Sequence, residues 1–277
     1  DTTTDNLYHT YGEQLQDNLA EMAQYYSEMS YGKMEFYYQI PQLAGGELTV
    51  IPYPQNRSYF EAYHPYLNPN GIVRDEKGSL ETSEATAREE DLLKQGLGTL
   101  DAGSIDFSKL DGNDDGTIDN IIFLFPTPEG QWTDLLWPHS SKFSEDLSFS
   151  GIKASTYTFQ PYDVSKSTLI HEMNHSLGLN DLYSYGNQSL DLAGNWSIMS
   201  SQSTTSLTSV EKEALGWLDV PSLSVSSTPQ TITLDPLALS SSNGAVKIPI
   251  AVRSSSGKQY PTQYIYLEYR TKKYESQ

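Results

Sequence analysis

Between residues 14 and 29 (QLQDNLAEMAQYYSEM) the apolar side chains Leu15, Leu19, Met22 and Tyr26 recur every three or four positions. That spacing predicts an amphipathic helix packed by one face, and Tyr31-Gly32 should end it. The period then changes. Residues 33–40 (KMEFYYQI) and 47–52 (ELTVIP) are rich in aromatic and branched side chains and predict a β-pair, followed by a Pro-, Asn- and Tyr-rich surface excursion over 54–79 and a second helix over 81–97. The run 118–125 (IDNIIFLF) is apolar over strand length and predicts a central strand buried on both faces. Residues 130–151 read as a loop or irregular hairpin and 153–159 as a further strand. A helix follows with Val164, Leu169, Ile170, Met173 and Leu177 as its buried face, Asp163 or Ser165 as its N-cap and Gly178 as its stop. Downstream, a loop-rich stretch over 180–205 leads to a short helix (209–218) and strands at 230–234, 245–252 and 263–270. Helices and strands are mixed without a strict βαβ alternation or an internal repeat, which predicts an α+β fold.

The third predicted helix carries His171-Glu172-Met173-Asn174-His175, and the chain continues Ser176-Leu177-Gly178-Leu179-Asn180-Asp181, so that the stretch reads HExxHxxGxxD. Residues four apart share a helix face, so His171 and His175 offer imidazole nitrogens to one ion, with Glu172 on the adjacent rim. Zinc held for catalysis takes three protein ligands and leaves a fourth position to water. Gly178 lets the chain turn back beneath the ion, which delivers Asp181 as the third ligand. Asp191, in a Gly/Asn-rich loop, is a competing third ligand. With zinc in place, Glu172 is the expected general base for attack of water on a peptide bond.

Several segments resemble the immune inhibitor A family of bacterial zinc metallopeptidases, relatives of the metzincins. They are Gln24-Tyr25-Tyr26-Ser27-Glu28-Met29-Ser30-Tyr31-Gly32-Lys33, Asp106-Phe107 ahead of an acidic loop, the extended zinc motif with Leu182-Tyr183, Asn195-Trp196-Ser197-Ile198-Met199-Ser200, and Leu215-Gly216-Trp217-Leu218 with Leu267-Glu268-Tyr269-Arg270. The resemblance spans about residues 24 to 270. It implies a metzincin-like zinc peptidase with a mixed twisted sheet and helices in an N-terminal subdomain (1–178), and a loop-rich C-terminal subdomain (179–277) with extra strands. It also implies that Met199 forms an apolar base beneath the zinc. One position departs from the metzincin pattern: two residues after the Met, where many metzincins place Tyr, stands Ser201. Tyr183, Tyr185 and His139 are the candidate substitutes as oxyanion donor.

Residues 111–119 follow D-x-N-x-D-G-x-I-D, with oxygen donors at alternate positions around a Gly. The twelfth position of an EF-hand would be Ile122, which excludes an ordinary EF-hand, whereas a shorter calcium loop through Asp111, Asn113, Asp115, Asp119 and the Thr117 carbonyl is the expectation.

Charge and composition narrow the partners. With 36 acidic and 17 basic side chains the 277-residue chain carries a formal charge of -19, which disfavours nucleic acid and anionic membranes. It contains no cysteine, so a transition-metal site must use His and carboxylate. No stretch is long and apolar enough to span a bilayer. Four N-x-S sequons occur, at Asn56, Asn174, Asn187 and Asn195; the second lies inside the zinc motif, so chance matches are the better reading. The expectation is a monomeric, secreted or cell-surface bacterial endopeptidase with catalytic Zn2+, structural Ca2+ and protein or peptide substrates. The competing class is a calcium-stabilised adhesin or binding module with a vestigial zinc site.

Overall fold

The computed structural model describes residues 13–41, 51, 53–80, 82–100, 105–126, 130, 134–149, 151–162, 164–184, 193–224, 226–256 and 258–271. Helices α1 (Glu13–Met29), α2 (Thr82–Thr99), α3 (Lys166–Ser176) and α4 (Ser209–Ala214) accompany strands β1 (Thr117–Ile118), β2 (Ile121–Phe125), β3 (His139–Phe149), β4 (Ile152–Pro161), β5 (Ala245–Ser255) and β6 (Lys258–Glu268). The fold is α+β. None of the described helices is long and apolar enough to cross a membrane. The chain divides into two compact units, Asp1–Ala20 with Tyr37–Gly178 and Glu21–Phe36 with Leu179–Gln277.

In the first unit β4 is the organising strand. β1 and β2 lie parallel to it one after the other, from Thr117 opposite Lys153 to Phe125 opposite Pro161. β3 runs antiparallel to it, from His139 opposite Phe159 to Phe149 opposite Ile152, with an irregularity between Lys142 and Leu147. The β3–β4 hairpin closes through Gly151 at φ +89°, a left-handed conformation that favours glycine. Leu93 and Leu97 of α2 pack with Phe60, Phe125, Leu136, Phe143, Tyr157 and Phe159 to form the core over this sheet. Phe125 meets Phe159, and Phe143 meets Tyr157, at ring-centroid distances of 4.7 Å. α3 packs against β3 and β4.

Three sequence expectations are corrected here. The run 118–125 is two short strands rather than one central strand, and among the described residues its only partner is β4. The break falls at Asp119-Asn120, where Asn120 Nδ2 turns away to donate to Thr158 Oγ1 at 2.8 Å and to Ser176 Oγ of α3. Residues 139–149 form an eleven-residue strand where a loop or irregular hairpin is expected: the polar sequence HSSKFSEDLSF hides a strand whose ladder partner among the described residues is β4 and whose Phe143 reaches the core. Residues 33–40 carry no ladder; Phe36 stacks on Tyr26 at 5.4 Å and Lys109 lies over the Tyr37 ring, so these aromatics pack as side chains. Most of the proposed partner, 47–50 and 52, lies outside the described residues.

In the second unit Met22 and Tyr26 are fully buried, and Tyr26 contacts Phe36 and Trp217. α4 is shorter than the expected 209–218. Its N-terminus is a capping box in which Thr208 Oγ1 accepts from Glu211 N and Glu211 accepts from Thr208 N. Residues 230–234 form no strand, while β5 and β6 pair as a long antiparallel hairpin. Ala245 at the start of β5 joins Leu218, Val220 and Leu237 in a small core.

Candidate metal centre

The helix that carries the motif is set at both ends by local chemistry. Ser165 caps its start by accepting from Thr168 N at 3.1 Å. Asp163, the other candidate cap, lies outside the described residues. Residues 169–174 are all buried, so the helix is held by packing on the sheet more than by propensity. At its end Leu177 N donates to Asn174 O and Gly178 N to His175 O at 2.9 Å, and Gly178 takes φ +91°, where a side chain would be strained.

His171 and His175 stand one turn apart with ring centroids 5.0 Å apart and planes at 89°. Among the described residues, His171, His175 and Asp181 are the one group of three or more His, Asp or Glu side chains whose ligand atoms gather tightly enough for an ion, all lying within 4.8 Å of one another. His171 is 3% exposed and Glu172 7%, whereas His175 and Asp181 are half-buried. Asp191, the competing ligand, lies outside the described residues.

Asp181 owes its place to the segment that follows it. Leu182 N donates to Met199 O at 2.8 Å, and Ser200 Oγ donates to Leu182 O at 3.3 Å. Met199 is fully buried. Its turn is braced from within: Met199 N donates to Ser197 Oγ at 3.0 Å, Ser197 Oγ donates to the buried Glu211 at 2.7 Å, and Ile198 N donates to Ser206 O. Arg270 closes the outer side by donating to Trp196 O and Leu207 O while pairing with Glu268 at 2.6 Å. The sequence reading missed Glu211 and Arg270. The Thr208-x-x-Glu211 capping pattern was the available signal for the first, and the second stood in the quoted segment 267–270 without a role assigned to it.

His139, a candidate oxyanion donor, has both nitrogens engaged elsewhere: Nδ1 lies 2.7 Å from Trp137 O and Nε2 3.0 Å from Glu89 Oε1. Tyr157 donates to the same Glu89 oxygen. Burial disfavours the imidazolium, but the bond and charge of Glu89, the Trp137 carbonyl and the charge of Glu172 outweigh it and raise the His139 pKa above the ordinary value. Tyr183 is exposed, and Tyr185 lies outside the described residues.

In the acidic loop the side chains turn onto the loop's own backbone. Asp111 accepts from Asp115 N and Gly116 N, Asn113 from Asp115 N, Asp115 from Thr117 N at 2.8 Å, and Asp119 from Gly112 N at 3.0 Å. Asp114 at φ +57° and Gly116 at φ +82° make the turn. Burial, together with the charges of Asp111 and Asp115, raises the Asp119 pKa against the lowering effect of the Gly112 bond.

No curated protein matches the chain. The immune inhibitor A resemblance rests, within 130–216, on more than the quoted motifs: that stretch, holding His171 and His175 on α3, Asp181 and the Met199 turn, matches the family model of the immune inhibitor A peptidase M6 catalytic domain, and the chain is a metallopeptidase, a hydrolase.

Proposed function

We propose that the chain is a secreted zinc-dependent endopeptidase with His171, His175 and Asp181 as zinc ligands and Glu172 as general base. The observation that carries this reading is the gathering of the three ligand atoms within 4.8 Å of one another beside a nearly buried Glu172. The donor set suits zinc: two imidazoles and one carboxylate, with the fourth position left to water. Two zinc bonds of about 2.1 Å span at most about 4.2 Å, so only a small adjustment separates these side chains from a shared ion.

Bound zinc supplies Lewis acidity, which acidifies a water and polarises the scissile carbonyl. Glu172 takes the proton of that water as its oxygen adds to the carbonyl carbon, then delivers the proton to the departing amine nitrogen as the C–N bond breaks. His171 and His175 keep their place through the buried face of α3, and Asp181 through the bond between Leu182 and Met199. Met199 is the apolar floor of this metzincin-like site. The catalytic part ending at Gly178 and the part beginning at Leu179 are subdomains of one monomeric enzyme acting on proteins.

Glu172→Gln should retain zinc at one equivalent and lose hydrolysis of an unfolded protein by about 10²- to 10⁴-fold, measured by metal analysis beside a proteolysis assay. Full activity in that variant would remove Glu172 from the mechanism. Zinc binding by the wild type without any hydrolysis would leave the binding-module reading instead.

Calcium in the loop 111–119 belongs to the same proposal, through Asp111, Asn113, Asp115, Asp119 and the Thr117 carbonyl. Its support is the gathering of these oxygen donors around one turn, where burial first, and the charges of Asp111 and Asp115 after it, raise the Asp119 pKa; a cation would relieve the repulsion. Calcium chelation at constant zinc should lower the melting temperature; an unchanged melt with no calcium bound would leave the loop as a self-satisfied turn.

A further inference from the structure

The two histidines of α3 do not stand on equal ground. His171 lies in the stretch 169–174 that is buried throughout, whereas His175, Ser176 and Leu177 are half-buried at the helix end. Packing holds the first more firmly than the second, and the last turn of a helix is where its hydrogen bonds open most readily. Asn120 reaches this turn from the sheet. Its Nδ2 donates to the hydroxyl of Ser176, the residue directly after His175, and to Thr158 Oγ1 of β4 at 2.8 Å, and it lies 3.3 Å from Met173 Sδ. Thr158 is fully buried, and its hydroxyl stands 3.6 Å from the same sulfur. One amide thus ties residues on either side of His175 to β4.

The sheet gives up regular pairing where this amide is placed. β1 ends at Ile118 opposite Ala154, and β2 resumes at Ile121 opposite Tyr157 in unchanged register, so the gap at 119–120 neither inserts nor drops a residue. Within it Asp119 N donates to Leu110 O at 2.9 Å instead of to β4. Side chains two apart share a strand face, which puts Asn120 in line with the apolar Ile118 and Ile122. A third apolar residue would continue that pattern, but it would make no hydrogen bond to α3.

We infer that Asn120 is a positioning residue for the metal site: it pins the last turn of α3 to β4 and so keeps His175 in place beside His171 before an ion arrives. The inference rests on the reading of His175 as a zinc ligand. Without the pin the turn frays in the metal-free protein, a smaller fraction of molecules presents both imidazoles together, and the apparent affinity for zinc falls by that fraction.

The full chain is titrated with zinc against a chromophoric chelator, well below its melting temperature, and is melted without metal. Asn120→Ala should weaken zinc binding about five- to tenfold, the worth of one hydrogen bond. Ser176→Ala removes the acceptor with little change of shape and should reproduce the loss, and the double variant should bind no more weakly than either single one. Ser165→Ala removes the cap at the opposite end of the same helix. It should lower the melting temperature yet leave zinc affinity within about twofold of wild type, which separates positioning from stability. Amide exchange reads the pin directly: the Gly178 N–H bonded to His175 O should exchange faster in metal-free Asn120→Ala than in the metal-free wild type. Wild-type zinc affinity in Asn120→Ala and Ser176→Ala, or an equal loss of affinity in Ser165→Ala at an equal loss of melting temperature, overturns the inference. A wild type that takes up no zinc, or His175→Ala with wild-type affinity, sinks the ligand reading and this inference with it. Zinc bound by the wild type and lost in His175→Ala, beside unaffected Asn120 and Ser176 variants, sinks this inference alone.

Discussion

The proposed metal-ligand stretch 171–181 and the acidic loop 111–119 both crowd side chains proposed as cation ligands into about ten residues, and they are built in opposite ways. Along α3 the backbone donors and acceptors serve the helix, and the side chains of His171 and His175 are placed by helical spacing and by packing against β3 and β4. In the loop the side chains themselves make the turn: the carboxylates of Asp111, Asp115 and Asp119 and the amide oxygen of Asn113 all accept backbone N–H bonds from within it. A ligand held by a helix keeps its geometry when the metal leaves. A ligand that is also a turn-former has the backbone as an alternative partner, and its metal must compete with that partner.

Three substitutions sharpen or break this contrast. The largest effect is expected from His175→Ala, which should abolish zinc binding and hydrolysis together while α3 stays folded, seen as lost metal and activity with retained helical circular dichroism; retained zinc would mean that the ligand set is misassigned. Next, Glu211→Ala leaves Ser197 Oγ, Thr208 N and Thr208 Oγ1 without their buried acceptor. It should cost about 2–3 kcal/mol in chemical denaturation and weaken zinc affinity through the Met199 turn. The smallest effect belongs to the loop. The raised folded pKa of Asp119 makes a contribution to stability that is complete below its unfolded value and lost as pH rises through the folded one. Asp119→Asn should therefore flatten the stability of the metal-free protein between acid and neutral pH and at the same time weaken calcium binding. A variant in which neither quantity moves would mean that no cation and no charge crowding matter there.

What could be read from the sequence was mostly what is local along the chain. The four apolar positions of the first helix, the Ser165 cap, the Gly178 stop and the HExxHxxGxxD spacing all act within about a dozen residues, and each has its counterpart in the structure. Long-range pairings were not legible. β3 is mostly polar and shows itself as a strand only through its ladder with β4, and the run 118–125 looked central because its apolar content hides the turn that Asn120 makes toward Thr158 and Ser176. The Glu89–His139–Tyr157 cluster joins side chains 50 and 68 residues from Glu89, with no spacing to announce it.

The hydrogen bond from Leu182 to Met199 has a consequence for how the enzyme is assembled. In the proposed ligand set two of the three ligands stand on α3, and the third lies beside a backbone pairing between positions 182 and 199, with sixteen residues between them. If zinc is held as proposed, two of its ligands lie outside this pairing and the third next to it, so the ion would act as a clasp on it. Metal loading would thereby be thermodynamically linked to this one backbone hydrogen bond. Chelation should therefore loosen the Leu182–Met199 pairing, seen as faster amide exchange at Leu182.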